Sequence, residues 1–169
     1  MFHWLRQLFH KEQTSRTEKI ISGAVAFAYI FILGYAGSSK NMAFYESLAK
    51  PSLTPPNWVF PVVWTILFSL IGLSGYYVWN HFEKDLYRKI FAALYFINGI
   101  LVYMWSYVFF GNNNINGALY VIIGMIILIE SMILVSFRTN RKAAYLLLPY
   151  FMWVLFATYL NASIIALNS

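Results

Sequence analysis

The chain has 169 residues, of which 60% are hydrophobic, 20% aromatic and only 11% charged. Five membrane spans of about 20 residues each use most of that length, which excludes a separate soluble catalytic domain. The net charge of +6 is scattered through loops beside apolar runs, so it fits topology and anionic headgroups rather than a nucleic-acid partner. The absence of cysteine excludes disulfides and thiolate-bound metal.

Residues 1–19 are a polar, cationic tail. MFHWLRQLFHK lacks the continuous apolar core of a cleavable signal; Phe2, Leu5, Leu8 and Phe9 instead outline a short amphipathic helix on the cytoplasmic surface. Residues 20–169 form a single transmembrane domain. Uncharged runs predict spans at about 20–37, 57–80, 90–110, 117–137 and 143–167, each near the ~20 residues that cross ~30 Å of hydrocarbon. The tail, the 80–89 loop and the 138–142 loop carry ten of the twelve Lys/Arg, leaving Lys40 and Lys50 on the other side. Cations stay cytoplasmic, so the prediction is an all-α, multi-pass integral membrane bundle of five transmembrane helices, N-in and C-out.

Along the first span, Ser22, Ala26, Gly34 and Ser38 form a small-residue ridge, and Gly117, Gly124 and Ser131 form another on the fourth. Either suits close helix contact and a symmetric homodimer. The 38–57 connector is rich in aromatic residues and proline, the composition of an ordered cap on the outer side. Pro55 and Pro56 pre-set the start of span two. The short 80–89 and 138–142 connectors make spans two and three, and four and five, antiparallel neighbours. Gly111 reads as a helix stop and Asn116 as an N-cap. Pro149 removes a backbone bond inside span five and kinks it.

Reactive signatures are missing: there is no phosphate-binding loop, no nucleophile elbow and no HExxH. His3, His10 and His81 lie at or beyond the cytoplasmic interface, so no axial haem ligation or metal site is expected in the bundle. The Asn161-Ala162-Ser163 sequon falls inside a span and is read as chance. Glu130 is the one formal charge within a predicted span. Such an acid is a functional candidate by default; its place about two turns from Arg138 also suits snorkelling to the headgroups or protonation.

The aromatic residues say more. Pro61, Trp64, Phe68, Gly72, Gly75 and Trp79 share a face of span two; Asn98, Leu101, Trp105 and Phe109 do so in span three, and Tyr150, Trp153, Ala157 and Asn161 in span five. Trp58 and Trp79 suit the interfacial belts. Trp64, Trp105 and Trp153 lie deeper, where each buried indole N–H wants a partner that Asn98 or Asn161 could supply. Ordinary helix packing explains these stripes, and so does an aromatic-walled slot for a flat ligand beneath the 38–57 loop.

The run from Phe44 through Lys50-Pro51-Ser52-Leu53-Thr54-Pro55-Pro56-Asn57-Trp58 to Trp64 resembles the signature of the translocator protein family, the tryptophan-rich sensory proteins. Trp105-Ser106 with Phe109-Phe110-Gly111, and Pro149-Tyr150-Phe151-Met152-Trp153 with Phe156-Ala157-Thr158 and Leu160-Asn161, carry the likeness on across about 20–165. The resemblance implies a five-helix bundle, usually dimeric, in a bacterial plasma membrane, with a pocket under the first connector. No cofactor is required; the implied ligand is a protoporphyrin IX-like porphyrin, bound for sensing, transport or disposal. By the same resemblance Tyr45, Trp64, Trp105, Trp153, Ala157 and Asn161 take pocket or lid roles, and Asn98 joins them from its stripe. Lys40 and Lys50 are the outer-side cations for porphyrin propionates. Light- and oxygen-dependent porphyrin breakdown is the enzymatic alternative, with Trp64 and Trp153 as catalytic donors. An interaction or scaffold protein with an incidental pocket is the third reading. Leu53, Pro61, Val102 and Gly117 depart from common family residues, and no Lys or Arg follows Tyr159. Sterol and synthetic-ligand binding are therefore not expected to carry over.

Overall fold

The computed structural model describes residues 15–36, 41–80 and 85–169. The amphipathic reading of the tail, the cation Lys40, and His3, His10 and His81 lie outside them. The described residues form helices and no strands: α1 (Arg16–Ala36), α2 (Met42–Ser47), α3 (Val59–Trp79), α4 (Asp85–Ser106, continued by a π-helical turn Tyr107–Gly111), α5 (Ile115–Thr139) and α6 (Arg141–Leu167). Among them α3, α4 from Leu86 through Gly111, α5 and α6 are long and apolar enough to cross a membrane. The fifth crossing expected from the sequence falls on α1, 21 residues long, with Ile20, Phe27, Phe31 and Ile32 exposed on its flank.

Polar residues at the edges of the apolar runs set where the helices begin. Ser15 and Glu18 form a reciprocal capping box, Ser15 N–H to Glu18 Oε2 at 3.0 Å and Glu18 N–H to Ser15 Oγ at 3.1 Å. This starts α1 at Arg16, a turn before its apolar run. Asn140 caps α6 by accepting from Lys142 N at 2.9 Å. For α5 the cap is Asn114, whose Oδ1 accepts from Gly117 N at 2.7 Å. This corrects the expectation of Asn116: the helix begins two residues earlier because the Asn114 side chain reaches an orphan N–H. Gly111 does end its helix, and Asn113 turns the chain with a positive φ of 52°, a conformation asparagine tolerates. Pro61 sits in the first turn of α3, where no helical N–H acceptor is needed. Pro149 lies within α6 and leaves the Tyr145 carbonyl without its helical donor.

Around the bundle the order is α1, α3, α6, α5, α4, with α5 lying along both α4 and α6 and α3 along both α6 and α1. The α5–α6 pairing is the one expected from a short connector. The α3–α4 pairing is not: those two helices meet only slightly. A short loop fixes the proximity of helix ends, while face chemistry decides which flanks pack. The close-packing face of α3 goes to α6, where Ser74 Oγ donates to the Ala143 carbonyl at 3.0 Å. The main core joins Ile71, Ile129, Met132, Leu147, Tyr150 and Val154, all sealed from solvent.

Residues of both small-residue ridges make contacts inside the protomer, Ser38 lying outside the described residues. Ser22 is buried and accepts from Asn80 Nδ2 at 3.0 Å, and Ala26 lines a cleft toward α3 and α4. Gly124 faces Leu101 of α4. Spacing identified the close contacts and not their partner. Glu130 is exposed on the outer flank of α5, away from the core.

Candidate functional site

At the end of the bundle where α3 and α5 begin and α4 and α6 finish, α2 lies across the helices as a lid. Asn41 caps it, accepting from Phe44 N at 3.2 Å. At its other end the Lys50 ammonium donates to the carbonyls of Tyr45 (2.7 Å), Glu46 (3.3 Å) and Leu48 (2.8 Å), and lies 4.8 Å from the centre of the Tyr45 ring. A cation on the final carbonyls offsets the helix dipole and closes the turn. Lys50 is thus the lid's own C-terminal clamp; a propionate would have to compete with three carbonyls for it.

Beneath the lid is an apolar cavity of about 100 Å³ whose walls include Tyr45, Phe60, Trp64, Trp105, Phe109 and Ala157. Five residues predicted for the site therefore come together there: Tyr45, Trp64, Trp105, Ala157 and Asn161. Tyr45 packs against Phe110 at 6.1 Å and Phe60 at 6.5 Å between ring centres. Burial under the lid holds its hydroxyl above the usual phenol range, so it stays neutral at physiological pH. Trp105 lies 5.3 Å from Phe109. Its indole N–H donates to Asn161 Oδ1 at 3.3 Å, and Asn161 Nδ2 donates to the Ile115 carbonyl at 2.9 Å. One amide thus joins α4, α5 and α6 at the cavity floor.

Two predicted residues stand elsewhere. Asn98 is fully buried and pairs with the Tyr150 hydroxyl at 3.1 Å. It is a core tie between α4 and α6, about two turns below Trp105. Trp153 is not among the cavity's lining residues; it packs on Phe60 at 6.1 Å and Phe156 at 5.5 Å. Its indole nitrogen is buried without a partner. Each sits on a predicted stripe, but a stripe marks the inward face of a helix and not the depth at which the bundle opens.

Sequence reasoning left Met42, Thr54, Asn57, Leu160 and Ile164 unassigned, though all line the cavity. Phe110 was quoted only within a motif. Phe109 and Phe110 are adjacent yet both buried, which a regular helix turning 100° per residue does not readily provide. The wide turn at Tyr107–Gly111, with Asn112 N–H bonded to the Tyr107 carbonyl at 3.0 Å, brings both rings inward. The paired phenylalanines before Gly111 were the available signal. Thr54 Oγ1 is buried against the cavity without a hydrogen-bond partner.

The lid is tied down from outside. Asn168 pairs with the backbone of Ala49, accepting from its N–H at 3.0 Å and donating to its carbonyl at 2.9 Å. Asn41 Nδ2 reaches Asn113 Oδ1 at 3.4 Å. These bonds are exposed, unlike the Asn161 and Asn98 ties.

Long apolar helices enclosing an aromatic cavity at one end define a helical integral membrane protein. The chain belongs to the TspO/MBR family, whose model matches residues 22–167. It is 36% identical over 156 residues to the tryptophan-rich protein TspO of Archaeoglobus fulgidus, covering 89% of this chain and 97% of that one. It is also 32% identical over 129 residues to the tryptophan-rich sensory protein of Cereibacter sphaeroides, covering 76% and 79%. With the human translocator protein it shares 31% identity over 124 residues, 72% and 73% of the two chains.

Proposed function

We propose that this chain is a membrane porphyrin-binding protein, acting in tetrapyrrole sensing, transport or disposal, with its ligand between Trp64, Trp105 and Phe109 under the α2 lid. The observation carrying this reading is the cavity: aromatic walls on two helices, a fixed amide floor and the unpartnered Thr54 hydroxyl, the pattern of a site for a flat apolar ligand with few polar groups. Its size imposes a condition. An engineered apolar cavity of ~150 Å³ takes up benzene, so a space of about 100 Å³ admits one edge of a macrocycle, and the whole disc enters only with the lid displaced. Breaking the exposed Asn168–Ala49 and Asn41–Asn113 contacts provides that movement. Lys50 then stabilises the lid rather than the ligand.

The proposal includes five crossings, N-in and C-out, with α1 as the fifth, in a bacterial plasma membrane. It also includes a homodimer. Ile100, Tyr103 and Tyr107 are all exposed on α4 at three- and four-residue spacing, so that face suits a partner copy. Light-dependent porphyrin breakdown is the second reading, favoured by the place of Trp64 in the wall. Trp153 could contribute only through Phe60.

Porphyrin titration in the dark and under light, read by absorbance and tryptophan quenching, tests the assignment. Saturable dark binding weakened by Trp64→Ala is the expected result. Bleaching that depends on Trp64 moves the reading to breakdown. Absence of saturable binding, or parent-like binding by Trp64→Ala, refutes the site.

A further inference from the structure

A second cleft opens at the opposite end of the bundle, between α1, α3 and α4. It measures about 150 Å³ and is lined by residues that include Val25 and Ala26 of α1, Gly75 and Trp79 of α3, and Ala92 and Tyr95 of α4. Its lipid-facing margin is apolar and exposed at Ile21, Val25 and Phe96. Tyr95 lies in this lining beside Ser22, whose hydroxyl donates to the Lys19 carbonyl and accepts from Asn80. Tyr95 is only 4% exposed, and its hydroxyl has no hydrogen-bond partner. The ring lies so close to Gly75 that a Cβ there would meet Tyr95 Cε2 at 3.0 Å. A hydroxyl held in apolar surroundings without an acceptor is costly, so an acceptor carried into the cleft by a ligand would relieve that cost.

Toward the helix ends the chemistry changes sign. The Arg88 guanidinium lies 5.0 Å from the centre of the Trp79 ring, and Trp79 is one turn, ~6 Å, beyond Gly75. Arg16 and Lys19, with Glu18 between them, occupy the first turn of α1, and Arg88 and Lys89 follow Asp85 at the start of α4, a net excess of cations. From inside outward, the cleft thus presents hydrocarbon-sized space, a hydroxyl seeking an acceptor, an aromatic ring of the kind found at membrane interfaces, and positive charge. A phospholipid presents the complementary series: acyl chain, ester carbonyl, anionic headgroup.

We propose that this cleft is a binding site for one anionic phospholipid from the surrounding bilayer, its acyl chain between α1 and α4, its ester carbonyl accepting from Tyr95 and its phosphate beside Arg88. The volume favours a chain over a protein partner. A cavity near 150 Å³ admits a small hydrocarbon segment, whereas a helix from a second copy would rest on the margin and leave the Tyr95 hydroxyl unserved. The site is at the opposite end from the porphyrin cavity and stands whether or not that reading does.

Full-length protein in nanodiscs of equal phosphatidylglycerol and phosphatidylcholine, transferred to mild detergent and weighed intact by native mass spectrometry, tests it. The parent should retain one phosphatidylglycerol in preference to phosphatidylcholine. Ala92→Phe, which fills the cleft, should abolish retention. Tyr95→Phe removes only the hydroxyl and should lower retention about fivefold, the scale of one hydrogen bond, without lowering the unfolding temperature. Arg88→Gln should bring the two lipids toward equal occupancy. The proposal is overturned if the parent retains no lipid or does not discriminate between headgroups. It is equally overturned if Tyr95→Phe and Ala92→Phe retain lipid like the parent. Efficient disulfide formation between two Val25→Cys copies would place protein, not lipid, over the cleft and would also sink it.

Discussion

Asn161 offers the sharpest test of how the cavity floor is held. It is 2% exposed, accepts from the Trp105 indole at 3.3 Å and donates to the Ile115 carbonyl at 2.9 Å. Replacing it with leucine keeps the branched shape but leaves the indole N–H without its acceptor and the Ile115 carbonyl without its donor, a loss of about 1–3 kcal/mol for a buried unsatisfied group. Interhelical hydrogen bonds in bilayers average nearer ~0.6 kcal/mol because the unfolded chain also finds partners, so the expected cost is in the lower half of that range. Trp105→Phe removes the donor instead, leaves the Asn161 oxygen unpaired and should cost a similar amount. Replacing both removes the mismatch along with the bond, so the double variant should be less destabilised than the sum by ~1 kcal/mol. Equilibrium unfolding in mixed micelles with increasing SDS, followed by circular dichroism, gives the four stabilities of the cycle. Additivity within ~0.5 kcal/mol would refute the pairing and leave Trp105 positioned by packing alone.

At Gly99, an added Cβ would lie 2.6 Å from Tyr29 Cε2, so Gly99→Ala should push Tyr29 off its site and cost ~1–3 kcal/mol in the same unfolding assay; a neutral outcome contradicts the close approach of α1 and α4. Glu130 faces outward, so Glu130→Gln should change stability and ligand affinity by less than about 1 kcal/mol, whereas a large loss of affinity with the bundle intact would reveal a functional acid. The chain has no cysteine, so single thiols report topology cleanly: Asn113→Cys should react with an impermeant reagent from outside and Leu86→Cys only from the cytoplasm. Reversed labelling overturns the N-in orientation. Asn168→Ala should speed porphyrin association several-fold in stopped-flow quenching while leaving the bundle's unfolding unchanged; an unaltered rate means the lid does not gate the cavity.

Long uncharged runs between charged connectors made the helices legible, because helix length in a bilayer is dictated by hydrocarbon thickness. The helix starts were less so. They depend on which polar side chain reaches an orphan N–H, as the choice of Asn114 over Asn116 demonstrates. Lateral order was harder still, since Ser22, Ala26 and Gly124 announce close contact without naming the partner. Five of the seven ligand-site residues predicted from stripes and motifs line one cavity. Asn98 and Trp153 miss it because helical periodicity gives the azimuth of a side chain and says little of its depth. The role of Lys50 was also hidden: its attachment to three carbonyls follows from the lid's turn geometry, which no local pattern records.

Asparagine explains how a bundle with so few charges holds firm in one region and loosens in another. Each side-chain amide both donates and accepts, so one residue can tie neighbouring helices together where no water is at hand. Asn98 and Asn161 do this in buried surroundings, where a broken bond finds no replacement and opening is correspondingly costly. Asn168 and Asn41 make comparable bonds to the lid at exposed positions, where water can replace each partner and the net cost of opening is small. The same chemistry therefore fixes α4, α5 and α6 around the cavity floor while leaving α2 the element most easily lifted. A ligand too large for the closed cavity would enter by that route, with the aromatic walls already in place.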